Sequence, residues 1–122
     1  MNARQNFHRL QHWQLAERQR YLSELESLAE RLRADAARLS GSIEEASAAA
    51  RSPQVHGVFV RPLVDRRDKL ERSIAEIDTQ IAEAREAVAS AQQEMKLLDS
   101  AIAHHGFNPV ETRPTRRIPR AR

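Results

Sequence analysis

A repeat of apolar residues with the spacing of a coiled coil runs through the second half of the chain. From Leu70 onward the spacing alternates between four and three residues, and Arg67 is the one polar residue in the line. The apolar members are Leu63, Leu70, Ile74, Ile77, Ile81, Ala84, Val88, Ala91, Met95, Leu98 and Ile102. Such a repeat forms one stripe along a helix, which is stable when a partner helix covers it. The pattern predicts a long helix over about residues 62–105.

A second apolar stripe crosses the first half of the chain and predicts a helix over about residues 4–50. Its members are Leu15, Leu22, Leu25, Ala29, Leu32, Ala36, Leu39, Ile43, Ala46 and Ala50. Five further apolar side chains widen the stripe toward the N-terminus, namely Phe7, Leu10, Trp13, Tyr21 and Leu28. We therefore expect the wide end of this helix to bury something in addition to its partner helix.

Residues 51–61 join the two stripes and carry the helix-breaking residues Pro53 and Gly57, and Pro62 suits the first turn of the second helix. We expect a loop there that reverses the chain. An antiparallel pairing then brings apolar residues together: Leu39 near Ile74, Leu32 near Ile81, Leu25 near Val88 and Leu15 near Leu98. The sequence thus predicts an all-α fold in which residues 1–106 form an antiparallel coiled-coil hairpin of two long helices.

The C-terminal residues 107–122 differ from the rest of the chain in composition. They contain three prolines and one acid, Glu111, against five arginines: Arg113, Arg116, Arg117, Arg120 and Arg122. This segment accounts for the net charge of +3, so the predicted hairpin is close to neutral. We expect a disordered basic tail that aids solubility, docks on an acidic protein surface or binds nucleic acid. Nucleic acid is the weakest of the three interpretations, because no aromatic residue stands among the arginines.

Composition excludes several classes of function. The chain has no cysteine, so it carries no disulfide framework, thiol nucleophile or cysteine-based metal centre. No stretch approaches the roughly 18 consecutive apolar residues of a membrane span, and no apolar segment follows the N-terminal arginines. Glycine-rich phosphate loops and nucleophile elbows are also missing. We expect a soluble cytoplasmic protein with no enzyme activity, no cofactor and no small-molecule substrate.

The histidines are grouped at one end of the predicted hairpin. His8 and His12 lie one turn apart on the first helix, a spacing that lets two imidazoles bind the same metal ion. The hairpin places them near His104 and His105. Exposed histidines are common near helix ends, so our first interpretation is that no metal binds; these four residues are nevertheless candidate ligands for zinc or nickel.

Apolar side chains at both ends of the hairpin have few partners within the chain. Near the turn they are Val55, Val58, Phe59, Val60 and Leu63. At the other end they are Leu10, Trp13, Tyr21 and Leu97. The turn residues either fold over residues 46–50 or contact another protein, and those at the other end are candidates for a partner or dimer contact.

These features resemble the FliJ family, the small coiled-coil proteins of the bacterial flagellar type III export apparatus. The resemblance extends over about residues 4–105. It is carried by the stretch Leu10–Tyr21, the run Phe59-x3-Leu63-x6-Leu70-Glu-Arg-Ser-Ile74-x6-Ile81, and the segment Gln93-Glu-Met-Lys-Leu97.

The resemblance implies a non-enzymatic accessory of the export ATPase: a stalk similar to the γ subunit of rotary ATPases, which inserts into the ATPase ring and contacts the export gate. It also implies that the protein escorts export chaperones and lies at the inner membrane only through its partners. Four arginines near the turn are candidates to contact acidic loops of the ring, namely Arg61, Arg66, Arg67 and Arg72. The alternatives are an injectisome stalk, a generic coiled-coil scaffold, and a nucleic-acid-associated coiled coil that acts through its arginine tail.

Overall fold

The computed structural model describes residues 2–106, which form three helices. Helix α1 spans Ala3–Ala49, α2 spans Pro53–Phe59, and α3 spans Arg61–Gly106. No strand occurs within this range. The all-α class and the two long helices are confirmed, and their ends fall within one residue of the predicted bounds. The predicted tail and its five arginines lie outside the described residues.

The segment expected to be a loop contains a helix, α2. Ser52 caps its N-terminus with extended backbone, φ −150° and ψ 160°, and the Ser52 Oγ accepts a hydrogen bond of 3.1 Å from the backbone N–H of Val55. Pro53 then occupies the first turn, where its missing N–H costs nothing. Pro62 likewise lies in the first turn of α3. Both prolines therefore begin helices, and the prediction of a loop throughout residues 51–61 was wrong.

The chain packs as two compact units. The second of these, residues 20–85, has a core that we call the α1–α3 cluster, formed by Leu25, Ala29, Ile81 and Ala84. Leu22 and Ile77 pack against it. Ala29 is fully buried, so the helix backbones approach closely where it lies. Ion pairs in the same unit join Glu26 to Arg85 at 3.1 Å and Arg33 to Asp78.

The ion pairs between α1 and α3 lie two residues from the expected register. A pairing of Leu32 with Ile81 would place Arg33 opposite Gln80, whereas Arg33 pairs with Asp78, and Glu26 pairs with Arg85 rather than with a residue opposite position 87. Leu32 is half-buried and is not a member of the α1–α3 cluster.

The first unit combines residues 2–19 with residues 86–106 in its described part. Its buried apolar residues are Val88, Ala91 and Met95, all on α3. Together with Ile81 and Ala84 of the other unit they are consecutive members of the predicted seven-residue repeat. Their burial confirms which face of α3 is covered.

None of the helices within residues 2–106 combines the length and the hydrophobicity that crossing a membrane would require.

Candidate functional site

The first unit exposes large apolar side chains and covers polar ones. Phe7, Leu10 and Trp13 are 50, 47 and 60% exposed. They follow one another at intervals of three residues, so they lie within an arc of about 120° on α1. We call them the N-terminal apolar face. On the same helix His8 and Gln11 are partly buried, so the usual arrangement of an amphipathic helix is inverted here.

The predicted apolar residues near the turn separate into two groups. Val60 is buried, at 2% exposure, because it lies between α2 and α3 and helical hydrogen bonds continue through it. Val55, Val58 and Phe59 remain exposed on α2. Phe59 is therefore available to a partner, and Val60 is not. Tyr21, in the same unit, is also exposed.

Three of the four candidate arginines are exposed on α3, namely Arg61, Arg66 and Arg72. Arg66 lines a shallow surface groove together with Arg38 and Lys69, which we call the basic groove. Its one acidic member, Asp35, forms an ion pair with Arg38. The positive charge of the groove is thus only partly compensated, and it is suited to an acidic surface of another protein.

Arg67 differs from the other three arginines. Its Nε is buried and has no hydrogen-bond partner among the described residues, and its Nη2 lies 3.6 Å from the Asp68 Oδ1. This side chain occupies the one polar position of the α3 repeat. It is therefore less available to a partner than its neighbours, and its buried donor destabilises the fold.

Replacement of Arg67 with methionine is expected to raise the free energy of unfolding by about 1–2 kcal/mol, because the unsatisfied buried N–H is removed and an apolar residue continues the seam. Methionine and arginine have similar helix propensities, so the helix itself is not altered. Urea denaturation followed by circular dichroism measures the change. The same substitution at exposed Arg66 is the control and should change stability by less than about 0.5 kcal/mol. A neutral or destabilising Arg67→Met would show that Arg67 is satisfied in solution.

The first unit also brings two histidines and a carboxylate together, which we call the His–Asp cluster. His8 Nε2 donates a hydrogen bond of 2.7 Å to Asp99 Oδ1, and the rings of His8 and His12 meet edge to face with centroids 4.4 Å apart. One ligand atom from each of the three residues lies within 4.8 Å of the others. Two imidazoles and a carboxylate can hold a transition-metal ion.

This cluster differs from the predicted group of four histidines. His8 and His12 are in it, but exposed His104 is not, and the side chain of His105 lies outside the described residues. Asp99 was not among the predicted site residues. Nothing in the spacing of the histidines indicates this residue.

Comparisons with protein-family models, with curated proteins and with solved structures find no match to this chain.

Proposed function

We propose that this chain is a non-enzymatic helical protein that works by binding other proteins, as a stalk-like accessory of the bacterial flagellar type III export apparatus. The observation that carries the binding role is the inverted amphipathic arrangement of α1 in the first unit. Phe7, Leu10 and Trp13 are open to solvent while polar residues of the same helix are covered. Aromatic and leucine side chains exposed side by side are typical of a surface that a partner covers.

The proposal takes an antiparallel coiled-coil hairpin as the fold. Two ion pairs of the second unit support this arrangement, since Glu26 pairs with Arg85 and Arg33, later in α1, pairs with Asp78, earlier in α3. The buried seven-residue repeat of α3 supports it independently. Two long helices packed in this way resist bending, as the role of a stalk requires.

The basic groove and its neighbouring arginines are the proposed contact to the ATPase ring. Arg61, Arg66 and Arg72 are exposed on one helix, and long-range attraction to acidic loops would orient the stalk without a tight hydrophobic contact. The N-terminal apolar face is left for the export gate or an export chaperone. The proposed location is the cytoplasm, with attachment to the inner-membrane export apparatus through these partners alone.

The first test is affinity purification of the full chain from its native cells, followed by identification of the proteins that co-elute. The proposal expects the export ATPase, the export gate or an export chaperone among them. Recovery of other proteins alone would support a general scaffold and contradict the export role. Recovery of nucleic acid that is lost at high salt would support the alternative in which the arginine tail is the binding element.

Binding to the purified export ATPase then tests which surface is used. Reversal of charge at Arg61, Arg66 and Arg72, each to glutamate, should weaken binding at least tenfold, because favourable charge pairs become repulsive. Reversal at Arg4, Arg18 and Arg31, which are exposed on α1 away from the turn, changes net charge equally and is the matched control. Equal weakening by both triple variants would mean that only net charge matters.

Leu10→Ser with Trp13→Ser should leave ATPase binding intact and abolish capture of the gate or chaperone.

A further inference from the structure

We propose that His8, His12 and Asp99 form a binding site for a divalent transition-metal ion of the zinc class. The two histidines are four residues apart on α1, and Asp99 reaches them from α3 within the same unit. This inference is independent of the export role, since it depends only on the His–Asp cluster.

The types of ligand favour zinc over calcium or magnesium. Zinc binds imidazole nitrogen and carboxylate oxygen at about 2.0–2.2 Å, whereas the hard cations prefer sites made of oxygen alone. Three protein ligands leave at least one coordination position open to water or to a side chain of a partner. A 4.8 Å limit on the separation of the three ligand atoms is close enough for small side-chain rotations to bring them around one ion.

The hydrogen bond between His8 and Asp99 must open when the ion enters. Two ligands of a tetrahedral zinc ion lie about 3.3 Å apart, whereas the His8 Nε2 and Asp99 Oδ1 are 2.7 Å apart. The ion takes the place of the shared proton, so these two atoms separate by about half an ångström. The side chains of His8 and Asp99 are 30 and 58% exposed, and surface side chains of this kind adjust at little cost.

Metal binding would tie α1 to α3 beside the N-terminal apolar face. His8 stands between Phe7 and Leu10 in the chain, so a ligand bridge at His8 holds that turn of α1 against α3. An ion that binds only the folded arrangement stabilises it according to its concentration and affinity.

Calorimetric titration of the untagged full chain with zinc chloride tests the site. We expect one ion per chain, and at least tenfold weaker binding for His8→Ala, His12→Ala and Asp99→Asn. Removal of a residue that only hydrogen-bonds a metal ligand typically weakens metal binding about tenfold or more, and removal of the ligand itself should weaken it at least as much. The matched controls are His104→Ala and Asp78→Asn, which should bind zinc like the parent chain. Circular dichroism confirms that each variant keeps its helices.

Visible absorption of bound cobalt(II) gives a second readout, since its bands depend on the ligands around the ion. Visible bands in the parent chain that weaken in Asp99→Asn and persist in Asp78→Asn would support the site. Absence of heat and of visible bands in the parent chain would overturn it and leave His8 and Asp99 as an ordinary ion pair. Loss of binding in His104→Ala equal to that in His12→Ala would also overturn it, because the ligands would then include the end of α3.

Discussion

Replacement of Ile81 with alanine is expected to lower the free energy of unfolding by about 3 kcal/mol, since it removes buried methyl groups and leaves a cavity. Ile81 is 6% exposed and belongs to the α1–α3 cluster. Ala29, of the same cluster, is too small to fill the space, and Leu25 is the one large side chain of α1 in the cluster.

Urea denaturation followed by helical circular dichroism measures this loss. Leu97→Ala is the control on the same helix, because Leu97 is 63% exposed and alanine favours a helix slightly more. We expect Leu97→Ala to change stability by less than about 0.5 kcal/mol. If Ile81→Ala had an equally small effect, the α1–α3 cluster would not form in solution.

The long helices could be predicted from the sequence because apolar periodicity is a local property. A seven-residue repeat of apolar residues identifies in the sequence the face of the helix that is buried. Ile81, Val88 and Met95 are buried as that repeat requires. The short helix α2 was missed because Pro53 and Gly57 were treated as breakers. A proline in a first turn and a serine cap at Ser52 instead favour a helix start.

The register could not be predicted because it depends on which of several similar apolar pairings packs best. Sliding one stripe along the other keeps apolar residues opposite one another, so the pattern alone does not predict that Arg33 pairs with Asp78. The same uncertainty hid the partner of His8. Its actual partner is Asp99, although the sequence pointed to the two histidines at the end of α3.

The candidate partner residues Leu10, Trp13 and Phe59 are exposed, because each lies outside the seven-residue stripe that the helices cover. Val60 is buried between exposed Phe59 and Arg61, and Arg67 is half-buried beside exposed Arg66. Whether a residue adjacent to a helix junction or a seam is covered depends on the path of the backbone, which composition does not determine.

A buried charge at Ala29 tests the pairing of α1 with α3 most severely. Ala29→Asp places a carboxylate where the side chain is fully buried, and we expect a loss of about 4 kcal/mol, or loss of the helical signal at room temperature. Ala37→Asp, at an exposed position of the same helix, carries only the propensity cost of about 0.6 kcal/mol. The difference in free energy of unfolding between the two variants measures the cost of burying the carboxylate against α3.

A second substitution on α3 shows whether Ala29 faces the residues that the α1–α3 cluster assigns to it. Lysine in place of Ala84, a member of the cluster, can reach solvent with its ammonium group and still lie beside a carboxylate at position 29. The double variant Ala29→Asp with Ala84→Lys should therefore be more stable than the sum of the single changes by about 1–3 kcal/mol. Lysine in place of Ala75, an exposed residue of α3, is the matched control and should not rescue Ala29→Asp. Strictly additive effects of the Ala29 and Ala84 substitutions would show that these two residues are not in contact. The α1–α3 cluster would then no longer support the hairpin.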